Sequence, residues 1–122
     1  IAFAKKQYPQ LQATWITSDY KQASLAGIKP DIIFASLFCH HFTEDELIQM
    51  LHWMKENASL GFFINDLHRH PMAYLVKNDA PLSVARGFKK EEWKKIFHHA
   101  GINHFTIQWK WAFRYLITCK ND

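Results

Sequence analysis

Glycine is scarce in this chain: four in 122 residues, at positions 27, 61, 87 and 101, with no two close enough to form a GxG pair. A loop whose backbone closes on a bound cofactor needs such pairs, because only glycine leaves room for the approach. Cysteine is sparser still. Cys39 and Cys119 are too few for a disulfide framework and both lie in apolar runs, so reduced thiols and a cytoplasmic setting are expected. No apolar run approaches the roughly 18 residues of a membrane span, and no charged leader precedes an apolar stretch, so neither a membrane partner nor an export signal is expected. Eight histidines are present, yet no HExxH or HxHxDH run organises them. Charge of one sign is lacking too: 15 basic residues face 11 acidic ones. The one basic cluster, Lys89, Lys90, Lys94 and Lys95, is interrupted by Glu91 and Glu92. It reads as a solvated helix face, and no nucleic-acid partner is expected.

What the chain has in quantity is apolar and aromatic side chains, 48% and 16% of residues, enough for one domain around a single core. Residues 1–12 read as the end of a helix stopped by Pro9, with Phe3 and Tyr8 as core contacts. A short β-leaning run, Ala13 to Thr17, then delivers Ser18, Asp19 and Tyr20 into a loop. The next strand, Asp31 to Phe38, has the composition of one buried on both faces and ends in Cys39, His40 and His41. The clearest helix follows: Thr43 and Glu46 form a capping box, and Leu47, Met50, Leu51 and Met54 make an apolar stripe. A third strand begins at Gly61 and finishes in Asn65, Asp66, His68, Arg69 and His70. Residues 71–76 suggest a short helix and 78–87 a loop. A second good helix runs from Phe88 to Ala100, closed by Gly101 in a left-handed cap. The tail alternates through Phe105, Ile107, Trp109 and Trp111, then Phe113, Tyr115, Ile117 and Cys119, as two antiparallel strands do. Strand, helix, strand, helix, strand, strand is the grammar of an α/β layer fold with parallel strands and an antiparallel pair at one edge.

Three successive strands therefore end in polar clusters: Asp19 with Tyr20, Cys39 with His40 and His41, and Asn65 with Asp66, His68 and Arg69. In an open parallel sheet, ligands bind outside the carboxyl ends of the strands. Three such clusters at one edge describe a rim of donors and acceptors above a hydrophobic floor.

Here the residues resemble a known family. "DIIFASLFCHHFTEDELIQML", "GFFINDLHRHPMAY", "SVARGFKKEEWKKIFHHAGI" and "AFRYLI" are similar to the later half of the class I S-adenosylmethionine-dependent methyltransferases. The likeness is to the small-molecule branch with "HH" after the fourth strand and "DLHR" after the fifth, and it runs from about Trp15 to Thr118. It implies a partial Rossmann-like three-layer fold over residues 1–122, in which the strand ending at Asp19 is the third of seven. The first two strands and the glycine-rich cofactor loop would be missing. Relatives typically carry a longer helical segment after the equivalent of Tyr74, so residues missing between Tyr74 and Leu75, a lid, are a further expectation.

The resemblance assigns roles. Asp19 would accept from the adenine amino group of S-adenosylmethionine, with Tyr20 beside the ring and Ser36, Leu37 and Phe38 along the methionine end. Asp19 reads equally as a local cap of the next turn, and Leu37 and Phe38 as plain core. His40, His41 and His68 are the candidates for catalysis. Methyl transfer to a hydroxyl needs alignment, worth roughly 7–11 kcal/mol, and a proton acceptor, for which histidine suits. Neighbouring residues at a strand end point apart, so one of His40 and His41 is expected to face the cleft. Asp66 and Arg69 are candidates for substrate binding, or for a pair that orders the loop. The function so implied is methyl transfer to a small molecule at oxygen, with the chain alone inactive. Two rivals stand beside it: a metal-dependent hydrolase built on the histidines, although zinc needs three or four ligands with support, and an interaction module that has lost its cofactor.

Overall fold

A computed structural model describes residues 1–23, 27, 29–69 and 87–122. The helix expected over 71–76, the loop over 78–86 and the Tyr74–Leu75 junction lie outside the described residues. Among the described residues, four strands and three helices carry the fold: α1 (Ala2–Gln7), β1 (Ile32–Ser36), α2 (Glu44–Asn57), β2 (Gly61–Leu67), α3 (Lys90–His99), β3 (Thr106–Lys110) and β4 (Arg114–Lys120). Single 3₁₀ turns at Tyr20–Gln22 and Cys39–His41 complete it.

The sheet order is β1-β2-β4-β3, with β1 and β2 parallel and the other two pairings antiparallel. This is the expected α/β arrangement, with the antiparallel hairpin at one edge. Each long helix forms for reasons local to it. Thr43 accepts from the Glu46 backbone at 3.3 Å while the Glu46 carboxylate takes the Thr43 N–H at 2.8 Å, which starts α2 with two of its orphan donors satisfied. Helix α3 ends in a Schellman motif: Gly101, at φ +71, donates to His98, and Ile102 donates to Phe97, both at 2.9 Å.

The core lies between one face of the sheet and these two helices. Leu47, Met50, Leu51 and Met54 of α2 and Trp93, Ile96 and Phe97 of α3 bury against Phe62 and Ile64 of β2 and Tyr115, Ile117 and Cys119 of β4. Gly61 makes the β2–β4 pairing possible. At φ +145, a Cβ there would sit 2.2 Å from the Cys119 carbonyl oxygen. No helix among the described residues is long and apolar enough to cross a membrane.

Several expectations are corrected. Ala13 to Thr17 is not a strand. A strand exists through its ladder, and no described neighbour offers this segment one. Helix α1 buries nothing, and Phe3 and Tyr8 face solvent, because a six-residue helix presents no apolar stripe. Strand β1 is not buried on both faces: Ile32 and Phe34 are 56% and 53% exposed, because the described residues place helices on one face of the sheet only. The described layers thus number two, not three. Trp111, assigned to a strand, caps the β3–β4 hairpin and is exposed.

Candidate active site

Strand β1 ends where Leu37 enters the left-handed region at φ +51, a conformation costing a non-glycine residue about 1–2 kcal/mol. The bend is held by the Leu37 N–H, which donates to the Asn65 carbonyl at 2.8 Å, and it swings Cys39–His41 into a tight turn above the end of β2. Ser36 and Asn65 are register partners, so the ends of β1 and β2 lie side by side, and the Asn65 amide donates to the Ser36 hydroxyl at 3.3 Å.

In that turn Cys39 and His40 are buried and His41 is exposed; because the residues form a 3₁₀ turn and not the end of a strand, neighbouring side chains do not alternate. His40 meets Asp66, which lies on the helix-covered face of β2 after Phe62 and Ile64. The Asp66 carboxylate accepts the His40 backbone N–H at 3.0 Å on one oxygen. On the other it accepts the His40 Nδ1 at 2.7 Å and the Leu67 N–H, also at 2.7 Å. Asp66 is 1% exposed and His40 is 7% exposed. The Cys39 thiol lies against the same carboxylate. Burial first, then the charge of Asp66 and a hydrogen bond to it, push that thiol far above the usual cysteine range. The His41 ring packs against that of His40, centroids 4.1 Å apart.

A second feature runs along the outer edge of β1. A groove of about 360 Å³ is lined by Tyr20, Phe34, Ser36 and Phe38 on one side and Met50 and Trp53 of α2 on the other. Asp19, next to Tyr20 in the chain, is not among its lining residues. One oxygen accepts the Lys21 N–H at 2.8 Å, so the local-cap reading describes it in this structure, and it thereby starts the turn that carries Tyr20. Tyr20 leans edge-on against Trp53 with ring centroids 5.1 Å apart. Burial, then the Asp19 and Glu46 carboxylates, hold its phenol above the usual tyrosine range.

The remaining candidates lie further along. His68 packs on Tyr115, centroids 4.6 Å apart, and its backbone N–H donates to Phe113. Arg69 does not pair with Asp66. Its guanidinium reaches Glu92 on α3 at 2.6 Å, because His40 and Leu67 already occupy the inward carboxylate. Asp66 itself, expected at a substrate, is turned into the protein. The structure thus gathers His40, His41 and Asp66 in one cluster and Tyr20 and Ser36 in one groove, while Arg69 ties the end of β2 to α3. Sequence reasoning missed Trp53, Met50 and Glu92 as contributors. Trp53 lies three residues beyond Met50, at the margin of the apolar stripe of α2, which was its one available signal.

Among the described residues, no group of three His, Cys, Asp or Glu side chains is placed to hold a metal ion. The glycines do not form a cofactor cradle either. Gly61 and Gly87 are consumed by close backbone contacts, with Cys119 and Leu67, and Gly27 and Gly101 stand in open turns. The chain therefore supplies donors at strand ends but not the tight backbone approach that a dinucleotide-like cofactor needs.

No family model matches the chain, and no curated protein matches it. A solved structure from Nostoc punctiforme, described as a "putative O-methyltransferase", superimposes with a TM-score of 0.57 over 78% of this chain at 17% sequence identity. The chain spans 32% of that protein's length. The likeness is one of fold.

Proposed function

We propose that residues 1–122 are the later part of a class I S-adenosylmethionine-dependent methyltransferase domain, and that the whole protein methylates a small molecule at oxygen. The observation that carries this reading is the buried His40–Asp66 pair at the adjoining carboxyl ends of two parallel strands, beside an apolar groove. That is where open α/β sheets bind ligands. The methyltransferase-like fold of the neighbour supports it.

The bare surfaces support it as well. Parallel strands occur almost only where both sheet faces are covered, yet Ile32 and Phe34 of the parallel edge strand are open to solvent. The opposite edge strand, β3, exposes Thr106, Gln108 and Lys110 and also Trp109. A bare apolar face on a parallel pair is what a three-layer domain shows when the elements that cover it lie outside the described residues. The glycine loop would come from outside them too.

In this reading S-adenosylmethionine, when bound, supplies an electrophilic methyl group. This chain's residues do the rest. Tyr20 and Ser36 line the groove that would take the cofactor, and Asp19 and the backbone of Leu37, their neighbours in the chain, would complete its contacts. His40 and His41 stand at the acceptor side, with His68 and Arg69 beyond them at the end of β2. The test is calorimetric titration of S-adenosylhomocysteine into the full-length protein, alone and as Asp19→Ala. Micromolar binding weakened by the substitution is expected. No binding by the full-length protein would overturn the enzyme reading and leave an interaction module in its place.

A further inference from the structure

We propose that the groove between α3 and the outer strand β3 takes an acidic, extended segment of a partner protein, laid along β3 as a further strand with its carboxylates against a row of cations on α3. The surface lies away from the carboxyl ends of β1 and β2, and the proposal is independent of the methyltransferase reading.

Three observations carry it. The first is how the structure sorts the basic cluster of α3. Lys90, Lys94 and His98 recur at every fourth residue, so they form one row along the helix. All three line a groove of about 480 Å³ whose floor is Ile102, Phe105 and Ile107, and no carboxylate is among its lining residues. Lys95 belongs to the other flank, where it approaches Glu44 of α2 at 3.9 Å. Glu91 reaches Lys94 at 3.1 Å, but both side chains are largely exposed and such a pair holds weakly. The second observation is that the helix gains nothing locally from this row. Lys90 opens α3, where a cation meets the positive end of the helix dipole, and like charges four residues apart repel. The third is the backbone of β3. It pairs with β4 residue for residue from Thr106 to Lys110, without a bulge or a proline, and no described strand pairs with its other side. Its outer row of N–H and C=O groups is therefore open to a further strand.

Together these features select the occupant. Ile107 and Trp109 are register partners of Ile117 and Tyr115, so they share the face of the sheet that α3 covers, yet Trp109 is 55% exposed. A strand added beside β3 runs about 4.7–4.9 Å from it and turns alternate side chains to that same face. Glutamates at those positions lay their methylenes on the apolar floor and bring their carboxylates to Lys90 and Lys94 as charge-assisted acceptors. A second copy of this chain is a poor fit, because two copies joined at β3 would set one cation row against another. Charge thus fixes the sign of the partner, and the free backbone fixes its conformation.

The test titrates an end-capped peptide of alternating valine and glutamate into the ¹⁵N-labelled 122-residue chain, followed by ¹H–¹⁵N correlation spectra. Saturable binding with a Kd on the order of 100 µM is expected, weakened by salt, with the largest shifts at the backbone amides of residues 106–110. Methylating alternate peptide nitrogens should abolish it, because the added strand loses its donors. Lys90→Glu combined with Lys94→Glu, both at exposed positions, should weaken binding roughly tenfold or more and make the chain take the matching valine–lysine peptide instead. No saturation by about 1 mM peptide would overturn the proposal. So would equal binding of the valine–lysine peptide by the wild-type chain, binding that survives nitrogen methylation, or tighter binding of single-stranded oligothymidine than of the acidic peptide. The wild-type measurements decide the matter even if the double variant does not fold.

Discussion

Replacing Asp66 by alanine removes one side chain but orphans three donors: the His40 backbone N–H, the His40 ring N–H and the Leu67 N–H. Each buried donor left unsatisfied costs about 1–3 kcal/mol. Partial entry of water through the turn moderates the sum, so a loss of about 3–5 kcal/mol is expected, from a total of about 5–15 kcal/mol for a domain. The geometry also predicts how that loss divides. His40→Ala removes the ring contact but keeps the His40 backbone N–H on the carboxylate. In a double-mutant cycle, the coupling between the two substitutions therefore isolates the ring–carboxylate bond, at about 1.5–3 kcal/mol. The remainder of the Asp66→Ala loss belongs to the backbone clamp, and it persists when alanine already occupies position 40. Urea unfolding followed by circular dichroism at neutral pH measures all four corners, with an unchanged slope to show that the unfolded states are comparable. A loss below about 1 kcal/mol for Asp66→Ala, or a coupling near zero, would refute the claim that this carboxylate holds the turn through buried hydrogen bonds.

Two further outcomes follow from other parts of the fold. Gly61→Ala forces a Cβ to 2.2 Å from the Cys119 carbonyl at a φ that L-residues rarely adopt, so strand β2 must shift against β4. A cost of about 2–5 kcal/mol is expected, seen as a fall in Tm of roughly 10 °C or more, and a Tm within about 2 °C of wild type would contradict it. The buried Cys39 thiol gives a pH dependence. Its folded pKa is raised, so its contribution is complete below the unfolded value of about 8.5 and is lost as pH rises above it, because the unfolded chain releases a proton that the folded one keeps. The slope is about 1.4 kcal/mol per pH unit. Cys39→Ala should accordingly show a shallower alkaline loss of stability in urea unfolding at pH about 8 to 10, and parallel curves for the two proteins would refute it.

The sequence displayed the elements whose causes are local. The Thr43–Glu46 box, the α2 stripe and Gly101 each fix a boundary by bonds within a few residues, and the structure places helix ends within two residues of them. It displayed poorly what depends on a distant partner. The run Asp31 to Phe38 is uniformly apolar, and composition cannot say that Leu37 turns left-handed, or that one face of the strand meets α2 while the other meets no described element. Ala13 to Thr17 has strand composition and no described ladder. The site shows the same division. His40 and Asp66 could each be named from their places at strand ends. Their pairing follows from the β1–β2 register, with Ser36 beside Asn65, and that is a property of the sheet, not of either motif.

The two halves of the proposed site rest on different supports. Asp66 alternates with Phe62 and Ile64, so the His40–Asp66 pair belongs to the face that α2 and α3 cover, where the core is closed and the pair is held among buried neighbours. Phe34 and Ser36 of β1, with Tyr20 from the turn before it, line the groove at the edge of β1 that no described strand pairs. In the proposed function the His40–Asp66 pair thus belongs to the closed half of the fold and the cofactor groove to the open half. The pair is oriented by hydrogen bonds among residues 40, 66 and 67 and by the Leu37–Asn65 bond that holds the turn above β2.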